Sequence, residues 1–140
     1  RIYRQVWESA TLAGFLTGRE AARRMAAQGR GTIIFTGATA SVRGGANFAS
    51  FASAKHALRA LAQSMARELG PMGVHVGHII VDGMIDSEAV RTKFPDETDA
   101  LPDGGMLDPD HIAEAYWAMH TQPKDAWTFE MDIRPSVERW

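Results

Sequence analysis

The sequence predicts an α/β fold in which a parallel sheet is covered by helices. Three observations carry this. Segments of helical period alternate with short apolar segments, the short segments are continuous β-branched runs, and glycine or proline punctuates most changes of period. A strand that is apolar on both faces needs a cover on each, and alternating helices supply both. The 140 residues suit one domain, spanning 1–140, with no internal repeat and no low-complexity segment.

The elements follow in order. From Tyr3 to Gln28, Val6, Ala10, Ala13, Leu16, Ala21 and Met25 recur at three- to five-residue steps, which predicts one long helix stopped by Gly29 and Gly31. Thr32 to Thr36 is a short β-branched and aromatic run, expected to be a strand buried on both faces. Ser41 to Asn47, with Gly44 and Gly45, reads as a loop. Phe48 to Leu69 places Phe51, Leu58, Leu61, Met65 and Leu69 on one stripe among alanines, a second long helix ended by Gly70-Pro71. Val74 to Val81 is a second buried strand ended by Asp82-Gly83.

Further on, Ser87 to Phe94 reads as a short helix capped by Asp86 or Ser87, and Pro95 to Gly105 as a polar loop or lid. Asp108-Pro109 opens a helix, since the carboxylate accepts from free amides and proline fits the first turn. Ile112, Ala115, Tyr116 and Met119 give that helix its apolar face, and Trp127 to Ile133 closes the chain as a strand.

Composition narrows the function classes. With 45% hydrophobic and 23% charged residues the chain is expected to fold around a core. Its longest apolar stretches, such as Val76 to Val81, are too short to cross a bilayer, and no secretion signal is visible, so a cytoplasmic protein with no membrane partner is expected. Zero cysteines exclude disulfides, thiolate nucleophiles and cysteine-based zinc sites. The net charge of -2 hides an asymmetry. Residues 1–30 hold six Arg against Glu8 and Glu20, whereas residues 82–114 hold ten acids against Arg91 and Lys93. No aromatic interleaving accompanies the arginines, so they read as a solvated helix face and nucleic acid is rejected as a partner. His75 and His78 sit three apart on a strand and face opposite sides, which argues against a shared metal, and none is expected. No Gly-x-Ser-x-Gly elbow is present.

The residues with chemical content cluster after the first strand: Thr36-Gly37-Ala38-Thr39-Ala40-Ser41, then Phe51-Ala52-Ser53-Ala54-Lys55. Ligands of open α/β sheets bind beyond the carboxyl ends of the strands. With the Gly31 to Phe35 strand, Phe51-x-x-x-Lys55, the run from Ala57 to Pro71 and the strand before Gly83, the chain resembles the short-chain dehydrogenase/reductase family. The resemblance covers nearly the whole chain and corresponds to the C-terminal half of a family member. It implies half of a doubly wound, Rossmann-like domain, an NAD(P)-dependent oxidoreductase fold, and assembly into dimers or tetramers through the helices at 3–28 and 48–69.

Carried over by position, the family's catalytic Tyr falls on Phe51, its Ser on Ala38 and its Asn on Thr11. Only its Lys persists, as Lys55, which in the family binds the nicotinamide ribose and lowers the Tyr pKa. Lys55, Gly83 and Ser87 are the implied cofactor contacts. Asp82, where the family has Pro, would bring negative charge toward the nicotinamide. Thr39, Ser41, Ser50 and Ser53 are nearby hydroxyls, none with a phenol-like pKa; local backbone bonding is their simpler role.

The family's glycine-rich phosphate turn has no counterpart of matching spacing here, so neither NAD nor NADP is expected to bind this chain tightly by itself. The chain starts at Arg1 rather than Met, so an upstream segment is expected. Two functions stay open: an oxidoreductase-family protein, or a non-catalytic assembly subunit or truncated fragment. A half sheet would expose an edge at Thr32 to Thr36 and a bare apolar helix face, from which self-association is expected.

Overall fold

The computed structural model describes residues 1–138. The first helical segment is continuous but not uniform. Helix α1 (Ile2–Trp7) passes through a π-turn at Glu8–Leu12 into α2 (Ala13–Gln28), with right-handed helical backbone at both joints. The extra residue of a π-turn rotates every later side chain around the axis. Leu16, expected inside, is 43% exposed; the face turned inward is Thr11, Gly14 and Gly18, followed by Ala21 and Met25, which pack against the core as expected. A Cβ on Gly14 would lie 2.5 Å from Leu58 Cδ1, and one on Gly18 would lie 2.9 Å from Phe35 Cζ. Counting apolar side chains misses a contact face made of glycine. Gly29 ends α2 in the left-handed region (φ 67°), with its amide on Ala26 O and that of Arg30 on Met25 O.

Strand β1 (Gly31–Ala38) runs two residues beyond the expected end, because Gly37 and Ala38 stay in register with Ile80 and Val81 of β2 (Val74–Val81). Neither has the β-branched side chain that marks a strand in sequence. A 3₁₀ turn at Thr39–Ser41 and a loop then lead to α3 (Ala49–Leu69). Residues 95–105, expected to be a polar loop or lid, begin with a short helix and run into a short strand at 106–107. Strand β3 (Met84–Ile85) and α4 (Glu88–Lys93) lead to α5 (Pro95–Asp99), whose Thr98 hydroxyl donates to Pro95 O at 3.0 Å. Strand β4 (Met106–Leu107) then pairs parallel with β3.

Helix α6 (Pro109–His120) starts as expected, with Asp108 Oδ1 accepting from Asp110 N at 2.8 Å. Strand β5 is shorter than expected, Glu130–Ile133. Upstream of it, Thr128 is held by the Gln122 amide through bonds of 2.7 and 2.8 Å, and the Trp127 ring stacks on His75 at 4.8 Å.

The main sheet has the order β1-β2-β5, all parallel. Side chains alternate across it. Ile33, Phe35, Val74 and Val76 meet Leu58, Ala62, Met65 and Leu69 of α3 on one face, while Ile79 and Val81 meet Met119 of α6 on the other. Burying each such side chain contributes roughly 1.5–3 kcal/mol. Both faces are therefore covered, as the apolar strands require. His75 stacks on Trp127 and His78 bonds Glu130, a pairing that fits opposite faces. Among the described residues, strand β1 has a neighbour on one side only, which leaves its other edge open.

Candidate functional site

The carboxyl ends of β1, β2 and β5 place Ala38, Asp82 and Arg134 at one end of the sheet, and α3 brings Phe51 and Lys55 to the same end. Even-numbered residues of β2 donate to β5, as His78 N does to Phe129 O and Asp82 N to Ile133 O. Its odd-numbered residues therefore face β1, and the alternation of a parallel ladder turns the even-numbered residues of β1 to the open edge. Two of those edge groups already have partners. Lys55 Nζ donates to Thr36 O at 2.9 Å, and Ala38 N donates to Ser41 Oγ at 3.0 Å.

Lys55 is half-buried, its Nζ 5.7 Å from the centroid of the Phe51 ring. No carboxylate among the described residues lies within ion-pair distance of it. Burial pushes its amine below the usual lysine range.

Thr11 lies in the π-turn, where its buried hydroxyl donates to Ala54 O at 2.9 Å. That bond ties the first helix to the residue before Lys55, so the structure joins these two expected site positions. The Thr11 hydroxyl is committed to the backbone. The other nearby hydroxyls are mostly engaged too: Thr39 donates to Asp82, Ser41 accepts from Ala38, and Ser53 donates to Ser50 O.

Asp82 is buried at 7% exposure, and its charge is compensated. Besides the Thr39 hydroxyl, Arg43 Nη2 stands at 3.8 Å and Arg134 Nε at 3.9 Å, with Arg134 also paired to Asp132. The negative charge that the sequence places here is thereby neutralised. Arg43 and Arg134 stand far from Asp82 in the chain, so no local spacing signals them. Gly83 has φ +149°, and a Cβ there would lie 3.0 Å from both Leu107 Cδ1 and Pro135 Cδ, so backbone and packing both require glycine. Ser87 caps α4, its Oγ accepting from Val90 N at 3.3 Å, while the neighbouring Asp86 pairs with Arg91 through bonds of 2.7 and 2.9 Å.

A second polar group lies between α3, β2 and β5, and sequence reasoning missed it. Arg59 donates to both Glu130 carboxylate oxygens at 2.7 Å, and fully buried His78 shares Glu130 Oε2 through Nδ1 at 2.9 Å. The Arg59 guanidinium holds the Glu130 carboxyl below its usual range. Burial lowers the His78 pKa and outweighs the opposing pull of Glu130. The His78 Nδ1 proton thus faces Glu130 and its buried Nε2 faces Gly37. Tyr116, on α6, shares a 2.7 Å bond with the Thr36 hydroxyl, and burial raises its phenol pKa. A raised pKa disfavours the phenolate, the opposite of the tuning that proton exchange at neutral pH requires.

Among the described residues, no three His, Asp or Glu side chains converge as a metal site, and no helix is long and apolar enough to cross a membrane.

A family model described as short chain dehydrogenase matches residues 2–98. A solved structure of a short-chain dehydrogenase from Rhodopseudomonas palustris is 52% identical, with a TM-score of 0.76, covering 96% of this chain and 52% of that one. An alcohol dehydrogenase from Thermococcus sibiricus, solved with 5-hydroxy-NADP, is 25% identical with a TM-score of 0.79, covering 98% of this chain and 55% of that one. The 3-oxoacyl-[acyl-carrier-protein] reductase MabA of Mycobacterium avium is 37% identical over 84 residues, which are 59% of this chain and 32% of that protein. The chain thus spans about half the length of these solved structures and a third of that reductase.

Proposed function

This chain belongs to the short-chain dehydrogenase family, and from that premise we propose that it forms the carboxyl-terminal half of an NAD(P)-dependent oxidoreductase fold whose proton-transfer step has been lost. The observation that carries this reading is the Lys55 neighbourhood. The amine stands at the carboxyl end of the sheet beside Phe51 and near Ala38, so the lysine persists without a phenol or a serine hydroxyl next to it.

A nicotinamide cofactor supplies or accepts hydride. Reducing a carbonyl also requires a proton on the developing alkoxide, which a positioned acid must deliver. Phe51 and Ala38 have no such proton, Thr11 and Thr39 spend theirs on Ala54 O and Asp82, and Tyr116 is tuned the wrong way. In this reading Lys55 contacts the ribose of NAD or NADP, and Ser87 faces the carboxamide, its hydroxyl keeping a proton to donate while it caps α4. Gly83 lets the chain turn between them. The fit is partial, because the Lys55 amine must leave Thr36 O to reach a ribose and the space beside Gly83 is taken by Leu107 and Pro135. The phosphate-binding turn is not among these 140 residues, so tight binding of either cofactor needs a nucleotide-binding half. The test is NADPH oxidation by the purified chain against a panel of small aldehydes and ketones. No turnover above the protein-free rate is expected, and measurable turnover overturns the proposal.

A second reading, a self-associating subunit, is favoured by one observation. Ile2, Tyr3, Trp7, Phe15 and Leu16 all expose apolar surface along the first helical segment, and β1 presents an open edge. We propose a homo-oligomer, a dimer or tetramer, located in the cytoplasm. Sedimentation at micromolar concentration is expected to give a mass of at least two chains, and a folded monomer refutes this reading.

A further inference from the structure

The chain has three lysines, and their settings differ. Lys93 and Lys124 are exposed, the first beside the Phe94 ring and the second reaching Gly29 O at 3.5 Å. Lys55 is half-buried, has no carboxylate within ion-pair distance among the described residues, and is flanked by the Phe51 ring. Among the described residues, its hydrogen bond runs to a backbone carbonyl, Thr36 O, on an edge that no strand covers.

We propose that Lys55 is a carbonyl-reactive amine that forms a reversible imine with small aldehydes, the Phe51 ring serving as the apolar wall against which the aldehyde's own apolar group lies. A lysine becomes nucleophilic when an apolar setting disfavours its charged form and no anion restores that form. Lys55 meets both conditions. The Thr36 carbonyl can hold one N–H of the neutral amine, leaving the nitrogen lone pair free. That lone pair attacks the carbonyl carbon, the C=O π electrons move to oxygen, and a proton passes from nitrogen to oxygen to give a carbinolamine. Loss of water then leaves a C=N bond to Lys55. Nothing is oxidised or reduced, and no cofactor takes part. The reading is therefore independent of whether the chain binds NAD or NADP.

The test uses the intact chain, benzaldehyde as the probe, and cyanoborohydride to reduce the imine to a stable benzylamine. Peptide mass spectrometry then gives separate rates at Lys55, Lys93, Lys124 and the terminal amine. The expected result is labelling of Lys55 at least about fivefold faster than Lys93 or Lys124, the sense of selectivity that an apolar setting gives an amine. Unfolding the chain in urea should abolish that preference. Labelling of Lys55 at or below the rate of the other two in the folded chain overturns the proposal. Because Phe51→Leu keeps an apolar neighbour but removes the ring, it should lower the rate at Lys55 without changing Lys93 and Lys124. An unchanged Lys55 rate in that variant refutes the ring's role.

Discussion

Replacing Gly37 by alanine tests the packing of the site at its tightest point. A Cβ on Gly37 would lie 2.4 Å from His78 Nε2, 2.6 Å from His78 Cε1 and 2.9 Å from Ser41 Oγ. All three distances are below ordinary van der Waals contact. His78 has no easy retreat, since it is fully buried and its Nδ1 is bonded to Glu130, which Arg59 holds through two further bonds. Ser41 is fully buried as well and carries the Ala38 amide. Over-packing of this kind costs about 1–3 kcal/mol. Reduced freedom of the unfolded chain returns roughly 0.4–1 kcal/mol. The net loss is expected to be about 1–2 kcal/mol, read as a melting temperature lower by roughly 3–8 °C for a domain of this size. Gly44→Ala is the control, because a Cβ there meets nothing within 4 Å. Removing the obstacle should also relieve the strain, so Gly37→Ala should cost less in a His78→Ala background than in the wild type. Urea denaturation of the wild type, the three single variants and the double variant measures all of this. A Gly37→Ala variant within about 0.5 kcal/mol of wild type, the range of unremarkable surface substitutions, would refute the reasoning.

Three further outcomes are expected. Stability should fall as pH drops below about 6.5, the ordinary histidine value, because burial depresses the folded-state pKa of His78, so between the folded and unfolded values the unfolded chain binds the extra proton. Glu130 acts in the same direction at lower pH, its lowered carboxyl pKa giving a contribution lost on acidification, reduced by its partial exposure. His78→Gln should flatten the upper part of that profile in thermal melts, and an unchanged slope would contradict the assignment. Phe51→Tyr combined with Ala38→Ser should yield no NADPH-dependent turnover, since restoring the proton donors does not supply a phosphate-binding turn; turnover in that variant would show that these 140 residues hold a working cofactor site. Thr11→Val keeps the shape and removes the bond to Ala54 O, which retains its helical bond within α3, so it should destabilise the chain by about 0.5–1.5 kcal/mol, the net contribution of one hydrogen bond; a neutral result would show that the bond adds no stability.

The sheet and its covering helices were legible because they rest on apolar periodicity, and Val74–Val81 lies where the sequence places it. The inward face of the first half of α2 was not, since it is glycine and a π-turn upstream resets its phase, whereas Ala21 and Met25 pack against the core as expected. Trp127 to Phe129 look like strand by composition, yet the Gln122 side chain takes the Thr128 backbone and leaves only four residues in β5. At the site, Phe51, Lys55 and Ala38 were singled out through the family resemblance, and one helix and one strand end bring them to the same end of the sheet. The partners of Asp82, and the Arg59, Glu130 and His78 group, join residues some 40 to 70 positions apart. No local pattern encodes pairs that only the fold brings together.

The central claim is that this chain keeps the family's fold and its lysine while lacking the means to hold a dinucleotide firmly and to move a proton. Titrating the purified chain with NADH, followed by nicotinamide fluorescence, tests it most directly. No saturable change is expected until the cofactor approaches millimolar concentration, where binding is worth only about 4 kcal/mol. Saturable binding in the micromolar range would contradict the account, because it would require a complete dinucleotide site within these 140 residues.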